Sequence, residues 1–243
     1  MQGVYGVFHS VYLVVAVMAM ILEIIILKKK KISDDKLQLI LKIEGAIWLI
    51  SVLLNRFVVT YSDVVINNRE GYTWLNLIPN TYCGICSLVL SISLLTLKKD
   101  NFIFHSLGYL GLVGGFITML YPDFLDSQSI FDLRSITGLL HHTLMFSIML
   151  KMMLFGYMQP TIKKCSYFTL GICVIMTLGV LEKDAFKFTK AMEIGDPLLK
   201  SLKVLTSWYI TDLLLIICHF VFLVIHEKRK THENLKDILK KVR

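Results

Sequence analysis

Seven apolar blocks, each about 20 residues long and so close to what a helix needs to cross a bilayer, govern what this chain can fold into. They run over 4–27, 38–59, 77–97, 102–121, 136–156, 164–181 and 204–225. Short polar pieces such as KKKKISDDK, KKDN and GYMQPTIKK separate them. The runs are continuous and lack period-two alternation, which excludes a membrane β-barrel. Helices are the remaining solution, because they satisfy their own backbone groups in lipid. Only 18% of the 243 residues are charged, against about 25% in soluble domains. A soluble globule, a disordered chain and a small disulfide scaffold are therefore excluded. The expected fold is all-α: a polytopic membrane helix bundle of seven transmembrane helices over 1–225, with a basic tail at 226–243.

The first block has the length of a signal peptide but the wrong flanks. No basic region precedes it, and Lys28 to Lys31 close it as a stop-transfer cluster, so it is read as a retained span. Charge then orients the bundle. With the first span running outside to inside, the inside segments hold 16 Lys/Arg against 6 Asp/Glu, and the outside segments 7 against 9. Basic residues stay on the inner side of a membrane. The N-terminus is thus expected outside and the C-terminus inside. The net charge of +8 points to anionic lipid at the basic tail, not to nucleic acid. Leu235, Ile238, Leu239 and Val242 recur at helical spacing, so the tail is expected to be a short amphipathic helix.

Six charged residues fall inside the blocks: Glu23, Lys42, Glu44, Arg56, Lys151 and Asp212. Intramembrane charges face the bundle interior and need partners. Two pairings are expected, Arg56 with Asp212 and Glu23 with Lys42; alternatively Asp212 orients a histidine, or Lys42 snorkels to the interface. Gly108, Gly111, Gly114 and Gly115 share a face of the fourth span and permit close helix contact. His105 and His219 lie on the inner side and read as core or interface residues. Pro79 is expected in the first turn of the third span, where its missing N–H costs least.

Cys83 stands apart from the other four cysteines. It lies about six residues below the outer end of the third span, and His141 and His142 lie as deep in the fifth, which a rise of about 1.5 Å per residue puts at roughly 9 Å. A thiol beside an imidazole becomes a reactive thiolate. Adjacent histidines point about 100° apart on a helix of 3.6 residues per turn, so one of the two is expected to face the sulfur. The bland reading is an interhelical hydrogen bond. Cys83 and Cys86 also have redox spacing, but no second thiol pair lies at that depth for exchange. Zinc on two cysteines and a histidine is a formal possibility; neither a metal nor another cofactor is expected.

Three stretches carry a family resemblance: LIPNTYCGIC at 77–86, GYLGLVGGFITMLYPDF at 108–124 and ITGLLHHTLMFSIMLKMMLFGYMQPT at 136–161. The chain resembles the YwaF-type integral membrane proteins of bacteria, which are similar to the eukaryotic transmembrane protein 164. The resemblance implies a cysteine-dependent acyltransferase acting on phospholipids, with Cys83 as nucleophile and His141 or His142 as its base. Family members often read Leu-Pro-Leu-His-x-Cys here. This chain keeps Pro79 and Cys83 but has Thr81 at the histidine position. Asn80 or Thr81 would donate to the oxyanion, as preorganised donors do in acyl transfer. The expected setting is a bacterial cell membrane. The competing class is a non-enzymatic transporter or scaffold; transporters often show repeat-related halves, and none is visible.

Overall fold

The computed structural model describes residues 3–126, 131–188, 191–192, 204–232, 237–238 and 241, without the side chains of 126 and 204–207. The architecture is all-helical. Six helices are long and apolar enough to span a membrane: α1 (Val7–Lys29), α2 (Asp34–Tyr61), α4 (Phe102–Leu120), α5 (Leu133–Leu154), α6 (Cys165–Asp184) and α7 (Val204–Thr231). The seventh, α3 (Tyr82–Thr96), is apolar but has only 15 residues. At 1.5 Å per residue it covers roughly 22 Å. Its stunted length corrects the expected 77–97 span. A 3₁₀ turn over Trp74–Leu77 comes first, and Ile78 to Thr81 link it to the helix. Pro79 lies in that linker, ahead of the helix, and restricts Ile78 to extended backbone. The helix begins only where the Thr81 hydroxyl accepts the Gly84 N–H at 3.1 Å, an N-cap of ordinary chemistry.

α2, α3, α4 and α5 close a ring in which each packs on its two neighbours, so that α3 and α5 face each other across the diagonal. α6 packs outside on α4, and α7 on α6. Glycines set the tightest seams. A Cβ on Gly171 would sit 2.4 Å from the Ser106 carbonyl oxygen, and one on Gly115 would sit 2.9 Å from that of His142. Backbones that close leave no room for a methyl, which is how small residues join membrane helices.

α1 is attached differently. It touches α5 only lightly, and polar pegs hold it along one stripe. His9 Nε2–H donates to the Met119 carbonyl at 3.1 Å. Tyr12 and Thr143 share a 2.5 Å hydrogen bond. Glu23 grips Lys151 of α5 at 2.8 and 2.9 Å. Lys151 also donates to Glu44 of α2, so one ammonium joins three helices. The expected pairing of Glu23 with Lys42 is not formed; Lys42 is half-buried on another face of α2. Lys151 of α5 is where the carboxylates of α1 and α2 converge.

At the end of the bundle that carries Lys98, Lys99, Lys163 and Lys164, the linkers are clasped by Asp100. Its carboxylate accepts from His105 at 2.7 Å, from the Gln159 N–H at 2.9 Å and from Lys164 at 2.5 Å. Burial pushes this carboxyl up, but the bonds from Lys164, Gln159 and His105 outweigh burial and hold it below its ordinary 3.8. Of the basic tail, 233–236, 239–240 and 242–243, and with them Leu235, Leu239 and Val242 of the expected amphipathic helix, lie outside the described residues. Within it, Asp237 and Ile238 are helical, Ile238 is buried, and Lys241 reaches back to Glu227 at 3.1 Å.

Candidate functional site

Cys83 is the second residue of α3, at the bundle end opposite the Asp100 clasp. Free N–H groups and the helix dipole favour negative charge in such a first turn. The approach to this turn is fixed by Arg56 of α2, whose guanidinium donates to the carbonyls of Asn76, Leu77 (3.4 Å) and Ile78 (2.8 Å). A planar fork with five donors suits that task. The Asn80 carbonyl accepts the Met192 N–H at 2.8 Å, which lays the buried Ala191–Met192 pair over the same linker. Tyr82, beside the thiol, donates to Asp212 Oδ1 at 2.8 Å and accepts from Trp208 Nε1 at 3.0 Å. Asp212 therefore ties α7 to the start of α3. It pairs with neither Arg56 nor a histidine, contrary to both expectations. The sequence could not have shown this, because Arg56 spends its donors on the backbone carbonyls of the linker instead.

The sulfur of Cys83 occupies the space that a side chain on Gly114 would fill: a Cβ there would lie 2.7 Å from Sγ and 4.0 Å from Met145 Cε. One turn further along α3, Ser87 donates to Met145 Sδ at 3.2 Å across the diagonal of the ring. α3 and α5 run parallel. Cys83 is four residues before Ser87, and His141 is four before Met145. Both histidines are nearly enclosed, at 7% and 9% exposure. Each Nδ1–H donates to its own helix, His141 to Thr137 O (2.9 Å) and His142 to Gly138 O (2.8 Å). Their rings are 4.0 Å apart. With Nδ1 protonated, each Nε2 is the basic nitrogen. Neither imidazole is hydrogen-bonded to Cys83. The His142 carbonyl backs onto Gly115 of α4.

A polar seam supports His141. Ser51 Oγ donates to the Thr137 carbonyl at 3.4 Å, and Asn55 Nδ2 donates to Thr137 Oγ1 at 3.0 Å and to the Arg134 carbonyl at 3.2 Å. Above it, buried Asp63 lies between Arg69 (3.8 Å) and Arg134 (3.6 Å). Tyr82, Trp208, Gly114 and Met145 all contact the site, and residue chemistry alone did not single them out for it. Tyr82 had one usable signal, its place next to the cysteine. Thr81 Oγ is committed to the helix cap as an acceptor and keeps its own O–H free to donate. Cys86 is fully buried and faces the core, and neither Cys83 nor Cys86 is bridged. Among the described residues no three His, Cys, Asp or Glu side chains converge on a point that could hold a metal ion.

The fold and its charge-lined ends define a multi-pass helical membrane protein. A family model described as the TMEM164 family matches residues 4–223, and the chain belongs to that family. No curated protein and no solved structure matches it significantly.

Proposed function

We propose that this protein is a thiol-dependent lipid acyltransferase of the bacterial cell membrane, with Cys83 at the outer leaflet. The N-terminus lies outside and the basic end inside, as the Lys/Arg bias requires. What supports the reading is the Ser87–Met145 contact between α3 and α5, from which four residues back along each helix lead to Cys83 and to His141, together with the Gly114 slot that holds the thiol. His141 Nε2 takes the proton from the Cys83 thiol. The thiolate attacks an ester carbonyl of a membrane phospholipid, the C–O bond breaks, and the lyso-lipid alkoxide leaves with the imidazolium's proton. A thioester remains on Cys83. An acceptor hydroxyl, deprotonated by the same imidazole, attacks that thioester and releases the thiolate. The Thr81 O–H donates to the oxyanion formed in each half. Ester carbonyls lie near the boundary of headgroup and hydrocarbon, the depth of the first turn of α3.

The test is acyl exchange between defined lipids in nanodiscs, with hydroxylamine trapping of the thioester. Cys83→Ser and His141→Ala should each abolish exchange, while His142→Ala should retain measurable turnover. Full turnover in Cys83→Ser sinks the proposal and leaves a non-catalytic membrane module.

A further inference from the structure

The basic end of the bundle carries a feature with no part in the Cys83 reading. Three chain segments meet there around a cavity of about 300 Å³: the first turn of α2, the α3–α4 linker and the turn that follows α5. Two bonds hold the segments together. The Asp100 N–H donates to the Tyr157 carbonyl at 2.9 Å and joins the linker to the turn. The Lys99 ammonium grips Asp34 and joins the linker to α2. The turn itself is made at Gly156, with φ +71°, a conformation that glycine adopts without steric cost. Small-molecule pockets begin at about 300 Å³, so this cavity suits a compact polar group.

Charge defines the guest. Asp34, Asp35, Lys98 and Lys99 all line the cavity, and their charges sum to zero. Lys99 and Asp34 are spent on each other. Lys98 and Asp35 are exposed, and neither side chain has a hydrogen bond or an ion pair among the described residues. A small anion would be drawn to Lys98 and repelled by Asp35, and a small cation the reverse. A guest that carries both signs satisfies both. Its cation needs N–H groups, because a carboxylate only accepts, and a quaternary ammonium has nothing to donate. The remaining wall is apolar, with Leu37 buried and Phe155 half-buried. Leu97 and Leu154, one residue before Lys98 and Phe155, are exposed, so chains attached to the guest would have apolar surface to lie on.

We propose that this cavity binds a phosphate–ammonium zwitterion, the headgroup of a phosphatidylethanolamine in the inner leaflet. Lys98 takes the phosphate, Asp35 takes the ammonium, and the acyl chains run past Leu97 and Leu154 into the bilayer. Cys83 is at the opposite end of the bundle, so this lipid is held and not acylated.

The full chain, wild type and Cys83→Ala, is placed in phosphatidylcholine nanodiscs with a trace of phosphatidylethanolamine that carries a diazirine on the acyl chain beside the glycerol. Saturable labelling should fall on 34–38, 97–99 and 154–157 in both. Unlabelled phosphatidylethanolamine should displace it, and added phosphatidylglycerol should not. Lys98→Gln should weaken that competition about fivefold, the upper range for an exposed ion pair. Asp35→Asn should weaken it similarly and turn the preference towards phosphatidylglycerol, because the repelling carboxylate is gone. Both side chains are exposed, so unchanged unfolding midpoints separate lost binding from lost folding. Labelling spread evenly over the lipid-facing surface, equal displacement by phosphatidylglycerol in the wild type, or unchanged affinity in both variants would each overturn the proposal. Displacement by soluble O-phosphoethanolamine as effective as by the lipid would place the source in water and overturn the membrane assignment. Because Cys83→Ala is labelled alongside, loss of acyl exchange and loss of headgroup binding are read separately.

Discussion

Lys151 offers the sharpest quantitative test of how the bundle is held. Its ammonium is 2% exposed and neutralises one of two carboxylates, Glu23 being 34% and Glu44 17% exposed. Replacing it by Met keeps the length and removes the charge. Two carboxylates then face each other inside the ring with no counter-ion. Removing one partner of a buried ion pair typically costs about 3–5 kcal/mol. The partial exposure of Glu23 places the expected loss towards the lower end, about 3 kcal/mol. Removing a carboxylate has a different outcome. Glu44→Gln leaves one ammonium facing one carboxylate, a balanced pair, and should cost about 1 kcal/mol or less, as neutral intramembrane hydrogen bonds do. The triple variant with both glutamates as Gln and Lys151 as Met restores neutrality and should recover most of the loss. Reversible denaturation in mixed micelles, followed by fluorescence of the fully buried Trp48, gives the differences directly. Equal losses in Lys151→Met and Glu44→Gln would refute the charge-balance reasoning.

The glycine seams rank by what a methyl would strike. Gly171→Ala meets backbone at 2.4 Å and should destabilise more than Gly114→Ala, which meets the movable Cys83 sulfur at 2.7 Å; overpacking costs about 1–3 kcal/mol, and both denaturation midpoints check the order. Gly114→Ala should also change the alkylation rate of Cys83 while leaving that of exposed Cys173 unaltered. Acid should open the Asp100 clasp. A carboxyl held below its ordinary value stabilises the fold above about pH 3.8 and loses that contribution as pH falls through its lower folded value. Asp100→Asn should therefore be less stable than wild type at pH 6 and lose less between pH 4 and 2, seen in a pH series of unfolding midpoints. Tyr82→Phe strips Asp212 of its donor and should cost about 1–3 kcal/mol, more than Trp208→Phe, in the same denaturation assay.

What the chain's hydrophobic blocks could reveal was length and order, and every block corresponds to a helix. Where each helix ends depends on single side chains whose partners are remote in sequence. α2 runs past its block to Tyr61 and continues as a π-helix over Ser62–Ile66, where the buried Asp63 meets Arg69 and Arg134. α3 starts five residues late because Thr81 caps it and Arg56 claims the carbonyls before Pro79. Depth counted along a block moves with that start: Cys83, expected about six residues into its span, is the second residue of α3, whereas His141 is the ninth of α5. Partner choice was beyond the sequence too. Asp212 could have bonded to any donor at its depth, and the fold brings it Tyr82 of α3, not Arg56.

Saturation separates the polar groups that hold the bundle from those with capacity to spare. Of the embedded cations, Lys151 is fully engaged. It spends its three N–H donors on two carboxylates and has none to offer a substrate without loosening a helix, while Arg56 spends three of its five on carbonyls. His9 is also saturated, donating to Met119 and accepting from the Tyr5 N–H. His141 and His142 use one nitrogen each and keep Nε2, and His219 uses none. In hydrocarbon an idle nitrogen is a cost that folding alone gives no reason to retain. A histidine kept only for packing could be replaced by Phe, Leu or Met with little loss or a gain. His9→Phe should therefore destabilise the fold, whereas His219→Phe should leave it as stable or more so. If both variants lose stability equally, idle nitrogens do not distinguish dispensable histidines from structural ones in this bundle.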